Sequence, residues 1–134
     1  MTKLAEVEGI GQTYANKLGK ADIFSTADLL EQGATPAGRK AIAEKSGISD
    51  KLILEWVNRV DLFRIKGIGG EYSDLLEAAG VDTVFELARR KAASLYQKMA
   101  EVNEAKNKVR KLPAESQVED WIAQAKKLPR KISY

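Results

Sequence analysis

Apolar residues in this chain recur three and four positions apart, and no stretch alternates cleanly between apolar and polar. Helix-start signals return roughly every dozen residues. The pattern predicts an all-α protein, a compact bundle of short helices. Val7, Ile10, Tyr14 and Leu18 follow the inner side of a first turn and the helix after it, which Gly19 or the Lys20-Ala21-Asp22 step ends. Ser25 or Thr26 caps a short helix over Ala27–Glu31 that Gly33 closes. Thr35-Pro36, a cap residue followed by proline, opens a helix over Ala37–Lys45 that stops at Gly47. Ser49 caps the next, with Leu52, Ile53, Trp56, Val57 and Val60 as its apolar face. A helix from Gly70 to Ala79 is stopped by Gly80, and Thr83 caps Val84–Arg89. A longer amphipathic helix is expected over about Ala92–Lys111, with Leu95, Met99, Val102 and Val109 inward and Pro113 ending it. Ser116-Gln117-Val118-Glu119 reads as a capping box that starts a last helix, with Val118, Trp121, Ile122 and Ala125 on one face and Pro129 beyond it.

Two stretches punctuate this pattern, Gly9-Ile10-Gly11 and Gly67-Ile68-Gly69. Each reads as a turn between two helices. Glycine at both ends gives the backbone access to positive φ, and the isoleucine between can enter the core. The amides that open the following helix lack intrahelical acceptors, which makes a small anion site. The two stretches lie 58 residues apart, and the 26 positions from 4 to 29 hold 8 identities at that offset. Roughly two would be expected by chance. The chain therefore reads as a duplication, with repeats over 1–62 and 63–134. Trp56 matches Trp121 at an offset of 65, so the second half holds about seven extra residues. Both tryptophans sit in apolar clusters and are expected to anchor the core rather than to stack on bases.

Composition narrows the chemistry. With 134 residues the chain is one domain's worth of sequence or two small halves. It has no cysteine and no histidine, so it lacks disulfides, thiolate metal sites, the commonest general base and the commonest metal ligand. Paired carboxylates such as Glu119-Asp120 are routine on helix surfaces, and no phosphate-loop, dinucleotide-loop or EF-hand motif is present. No enzymatic activity, cofactor, metal or small-molecule substrate is expected. Neither a leader segment nor a membrane span is legible, so a cytoplasmic location is expected.

Net charge is only +3, but it is uneven. Residues 1–62 hold 8 basic and 9 acidic residues, and residues 63–134 hold 14 and 10. The excess gathers at Lys106, Lys108, Arg110, Lys111, Lys126, Lys127, Arg130 and Lys131. It reads either as a solvated helix surface with a frayed basic tail or as a phosphate-facing patch. The helix pair on either side of Gly47-Ile48 has the outline of a DNA-reading helix-turn-helix. Its second helix offers only Lys51 and Arg59 against Asp50, Glu55 and Asp61, so it reads as two packed helices.

The two glycine turns, each with an apolar residue two before, resemble the helix-hairpin-helix motif. Ala15 and Leu18 fit its downstream positions in the first copy, Ser73 and Leu76 in the second. Nearly the whole chain is similar to a bacterial family of small tandem helix-hairpin-helix proteins carried as a domain of unknown function. The resemblance rests also on Thr35-Pro36-Ala37-Gly38-Arg39-Lys40, Ile53-Leu54-Glu55-Trp56-Val57 and Arg64-Ile65-Lys66. It implies sequence-independent contact with DNA, the hairpin amides holding backbone phosphates and nearby lysines adding charge. The residues so implied are Gly9, Gly11, Gln12, Thr13, Lys17 and Lys20 in the first half, and Lys66, Gly67, Gly69, Gly70 and Glu71 in the second. Glu8 stands where DNA-binding members often carry proline, and Glu71 and Asp74 follow the second turn, where carboxylates repel phosphate. The first turn is the cleaner candidate. The expected function is non-specific DNA binding; the alternative is a protein-interaction or scaffold domain, with another protein or a second copy as partner.

Overall fold

The computed structural model describes residues 3–7 and 9–134. The described residues form an all-helical protein. A 3-10 turn over Leu4–Glu6 is followed by eight helices. They are α1 (Gln12–Gly19), α2 (Thr26–Gly33), α3 (Pro36–Ser46), α4 (Asp50–Leu62), α5 (Gly70–Ala78), α6 (Val84–Ala88), α7 (Ala92–Lys106) and α8 (Glu115–Lys127). An isolated bridge between Lys3 and Ser25 is the β-type pairing seen among these residues.

Hydroxyl caps set the starts of α2, α3 and α6. The Asp28 N–H donates to Ser25 Oγ at 3.2 Å, Gly38 N–H to Thr35 Oγ1 at 3.0 Å and Glu86 N–H to Thr83 Oγ1 at 3.2 Å. Each bond satisfies an amide that the helix leaves without an acceptor. Gly47, at φ 75°, closes α3 in the left-handed conformation.

Two expected boundaries move. Helix α7 stops at Lys106, before Pro113, because Asn107 turns left-handed at φ 52°. The Asn103 side chain then holds the chain beyond it. Its Oδ1 accepts from Val109 N–H at 2.8 Å and its Nδ2 donates to Val109 O at 3.2 Å. The box that opens α8 sits two residues earlier than expected. Gln117 Oε1 accepts from Ala114 N–H at 2.8 Å, and Ser116 lies inside the helix.

The chain divides into two compact units, Met1–Asp61 with Lys131–Tyr134, and Leu62–Arg130. In the first, Leu18, Ile23, Leu29, Ile53, Trp56 and Val57 are fully buried. In the second, Leu75, Leu76, Val81, Leu87, Leu95 and Met99 surround Trp121. The same local bonds recur in both. Ile23 N–H donates to Leu18 O at 3.1 Å, and Val81 N–H to Leu76 O at 2.8 Å. Tyr14 meets Trp56 with ring centroids 5.0 Å apart, and Tyr72 meets Trp121 at 5.3 Å.

The last four residues are not a frayed tail. Ile132 is buried, and Ser133 N–H donates to Ala34 O at 2.8 Å. The buried Arg39 guanidinium donates to Gly33 O and to Ser133 O, each at 2.9 Å. Tyr134 OH meets Asn58 Oδ1 at 3.1 Å. Carbonyls at the C-terminal end of α2, which that helix cannot satisfy itself, thus take their donors from Arg39 and from the tail. Gly33 also lets α2 lie close against α4, since a Cβ there would lie 2.5 Å from Val57 Cγ2. Arg39→Met should therefore orphan two carbonyls and cost about 2–4 kcal/mol, whereas exposed Lys40→Met should be near neutral. Urea unfolding of the two variants checks this.

Candidate functional site: the two glycine turns

Each turn is built on one left-handed glycine and one extended one. Gly9 and Gly67 lie at φ 92° and 100°. Gly11 and Gly69 do not share that conformation, contrary to the expectation of positive φ at both ends. They are extended N-caps at φ −90° and −113°. The reason lies in the tryptophans. A Cβ on Gly9 would lie 3.4 Å from Trp56 Nε1, and one on Gly67 only 2.9 Å from Trp121 Nε1. The first glycine of each turn thus lets the backbone lie against an indole edge. The isoleucine between the glycines is buried in both turns. Its N–H donates back to Val7 O at 3.0 Å in the first turn and to Ile65 O at 3.2 Å in the second.

A Cβ on Gly11 or Gly69 would meet no atom within 4 Å. These N-caps carry no side chain, so neither α1 nor α5 has the hydroxyl cap that α2, α3 and α6 use. Ala15 N–H donates to Gly11 O and Ser73 N–H to Gly69 O, both at 2.9 Å. Among the described residues, no acceptor takes the amides of Gln12, Thr13 and Tyr14, nor those of Gly70, Glu71 and Tyr72. Both helix starts therefore present open donors at the positive end of a dipole.

The side chains around these amides differ between the units. In the first, Gln12 and Thr13 are exposed and α1 has no acidic residue in its first turn. The Gln12 amide donates to Asn16 Oδ1 at 2.8 Å. Lys17 leans back toward the helix start, as helical side chains do, and its ammonium sits 5.6 Å from the Tyr14 ring centroid. Lys20 is not brought to the turn. It is the C-cap of α1, about 12 Å along the axis from Gln12. Glu8 lies outside the described residues.

In the second unit the turn is held by a residue that the sequence pattern did not single out. Gln124 on α8 clamps the Lys66 backbone, its Oε1 accepting from Lys66 N–H at 2.9 Å and its Nε2 donating to Lys66 O at 3.2 Å. The Lys66 side chain stays exposed beside Gly67. Exposed Glu71 occupies the first turn of α5. Asp74 pairs with Lys108 at 3.3 Å, and Tyr72 OH meets Lys111 O at 3.2 Å. The segment just beyond α7 is thus docked on α5, and its lysine offsets one of the two carboxylates. The one available signal was the extra length of the second half, which gives no direction in space.

A family model described as a domain of unknown function, DUF4332, matches residues 8–128. The chain belongs to the DUF4332 family. The matched span contains both glycine turns and both tryptophans, and stops short of the four residues that dock beside α2. No curated protein and no solved structure matches this DUF4332 chain. Among its described residues, no helix is long and apolar enough to cross a membrane.

The two kinds of glycine in these DUF4332 turns should respond differently to substitution. Gly9→Ala and Gly67→Ala should each cost about 1–3 kcal/mol from backbone strain alone, Gly67→Ala the more because its Cβ meets the indole closer. Gly11→Ala and Gly69→Ala should stay within about 1 kcal/mol of the wild type. Thermal melts of the four single variants give the comparison.

Proposed function

We propose that the two glycine turns are helix-hairpin-helix motifs and that this protein is a non-enzymatic, cytoplasmic module that contacts DNA backbone phosphates without reading sequence. The observation that carries the reading is the open start of α1. Three successive amides have no acceptor among the described residues, the N-cap glycine leaves space in front of them, and no carboxylate sits in that turn. A phosphate oxygen suits such a site because the donors and the dipole are already aligned. Lys17, drawn back over Tyr14, adds a positive charge to the same helix. The α5 start has the same backbone, with Lys66 beside it, but Glu71 opposes an anion there. Phosphate contact is therefore assigned chiefly to Gly11, Gln12, Thr13 and Lys17, with Lys66, Gly69 and Gly70 secondary.

Affinity for duplex DNA should fall steeply with salt, with a slope of about −0.9 per phosphate neutralised. Lys17→Glu should weaken binding more than Lys66→Glu, and Lys20→Glu should weaken it least. Gly11→Ala should weaken binding while leaving the fold intact, because its Cβ would enter the space assigned to the phosphate. Fluorescence anisotropy across a salt titration measures all of these. Equal affinity of wild type and variants, or a flat salt response, would favour the protein-interaction alternative.

A further inference from the structure

The second unit carries a cationic groove away from the glycine turns. The corner between α6 and α7, Arg90-Lys91-Ala92, faces Glu119, Ile122, Ala123 and Lys126 of α8 across an open groove of about 430 Å³. These α8 residues are spaced i, i+3, i+4 and i+7, a single helical face. Ala92, Ile122 and Ala123 supply an aliphatic floor, and the charged side chains form the rim. Arg90 has structural work, donating to Gly80 O at 2.9 Å and pairing with Glu86 at 3.6 Å. Lys91 and Lys126 are exposed and pair with no carboxylate among the described residues. Next to this corner Phe85, 43% exposed, has the Arg130 guanidinium 4.5 Å and the Arg89 guanidinium 5.7 Å from its ring centroid. One ring thus holds two more cations at the same corner.

We propose that this groove docks an acidic amphipathic helix of a partner protein. The partner's aliphatic side chains enter the floor between α8 and the α6–α7 corner, and its carboxylates face Lys91, Lys126 and Arg89. Charge complementarity chooses the occupant: Lys91 and Lys126 rim the aliphatic floor beside the Glu86-paired Arg90, against the single carboxylate, Glu119, that lines the groove, and Arg89 lies next in the chain. A nucleic acid fits less well. Bases stack on open aromatic faces, and the Phe85 ring is already occupied by guanidinium groups. The inference is independent of the glycine turns.

The test is an amide-resonance titration of the full chain with a synthetic helical peptide of glutamate and leucine in amphipathic pattern. Its controls are the peptide with lysine in place of glutamate and a duplex oligonucleotide. The acidic peptide should shift the amides of Lys91, Ala92, Ala123 and Lys126, and the lysine peptide should not. The double variant Lys91→Glu/Lys126→Glu, both positions being exposed, should keep the wild-type spectrum elsewhere and lose at least tenfold in peptide affinity. Lys17→Glu should bind the peptide as wild type does, whatever it does to DNA. The proposal is overturned if the acidic peptide leaves those four amides unmoved, if the lysine peptide binds equally, or if the double variant retains full affinity. It is also overturned, in favour of a nucleic-acid surface, if the oligonucleotide shifts the same amides and displaces the peptide.

Discussion

The contact between a tryptophan edge and a left-turning glycine is the constraint around which each unit is arranged. Trp56 and Trp121 are almost wholly buried, and each brings its indole nitrogen against the first glycine of a turn. The glycine must lack a Cβ for two separate reasons, its positive φ and its indole neighbour. Tyr14 and Tyr72 then pack on the same indoles from the helix that follows. The turn, the start of that helix and a distant helix are thereby fixed together. Large aromatic rings suit this role because one side chain can contact several elements and bury much apolar area at once.

Fixing the backbone in this way leaves donors open where a helix starts. Elsewhere in the chain Ser25, Thr35 and Thr83 close such amides with their own hydroxyls. A glycine N-cap has no side chain with which to do so. The two units then diverge in charge. The first turn has no carboxylate at its helix start, and Lys17 is folded back toward it. The second has Glu71 at the helix start, a glutamine clamp on Lys66, and a lysine spent on Asp74. Similar backbones thus present different potentials to an approaching anion, since the near-field of an exposed site is set by the side chains around it.

The tail shows the same economy in a different setting. Helix α2 ends with carbonyls that need donors, and the chain supplies them from Arg39 and from Ser133, a residue 99 positions beyond Ala34. A guanidinium can do this because its several N–H groups reach two carbonyls at once. Ile132, Ser133 and Tyr134 thus contribute to the first unit's packing, where composition alone suggested a solvated extension.

Much of the architecture was legible in local chemistry. Apolar spacing gave the helices, hydroxyl residues before them gave the caps at Ser25, Thr35 and Thr83, and Gly47 gave a left-handed stop. These signals act within a turn or two of chain, so the sequence carries them directly. At the end of α7 the sequence points to Pro113, a conspicuous breaker, while Asn103 reaching forward to Val109 takes effect only once the chain has turned at Asn107. Which glycine of each turn is left-handed, that Gln124 grips Lys66, and that Lys108 finds Asp74 were decided by tertiary contact. The sequence determined the elements and their stops because propensity and capping are local. The fold alone decided the clamps and charge pairings, because they join groups that packing brings together from far apart in the chain.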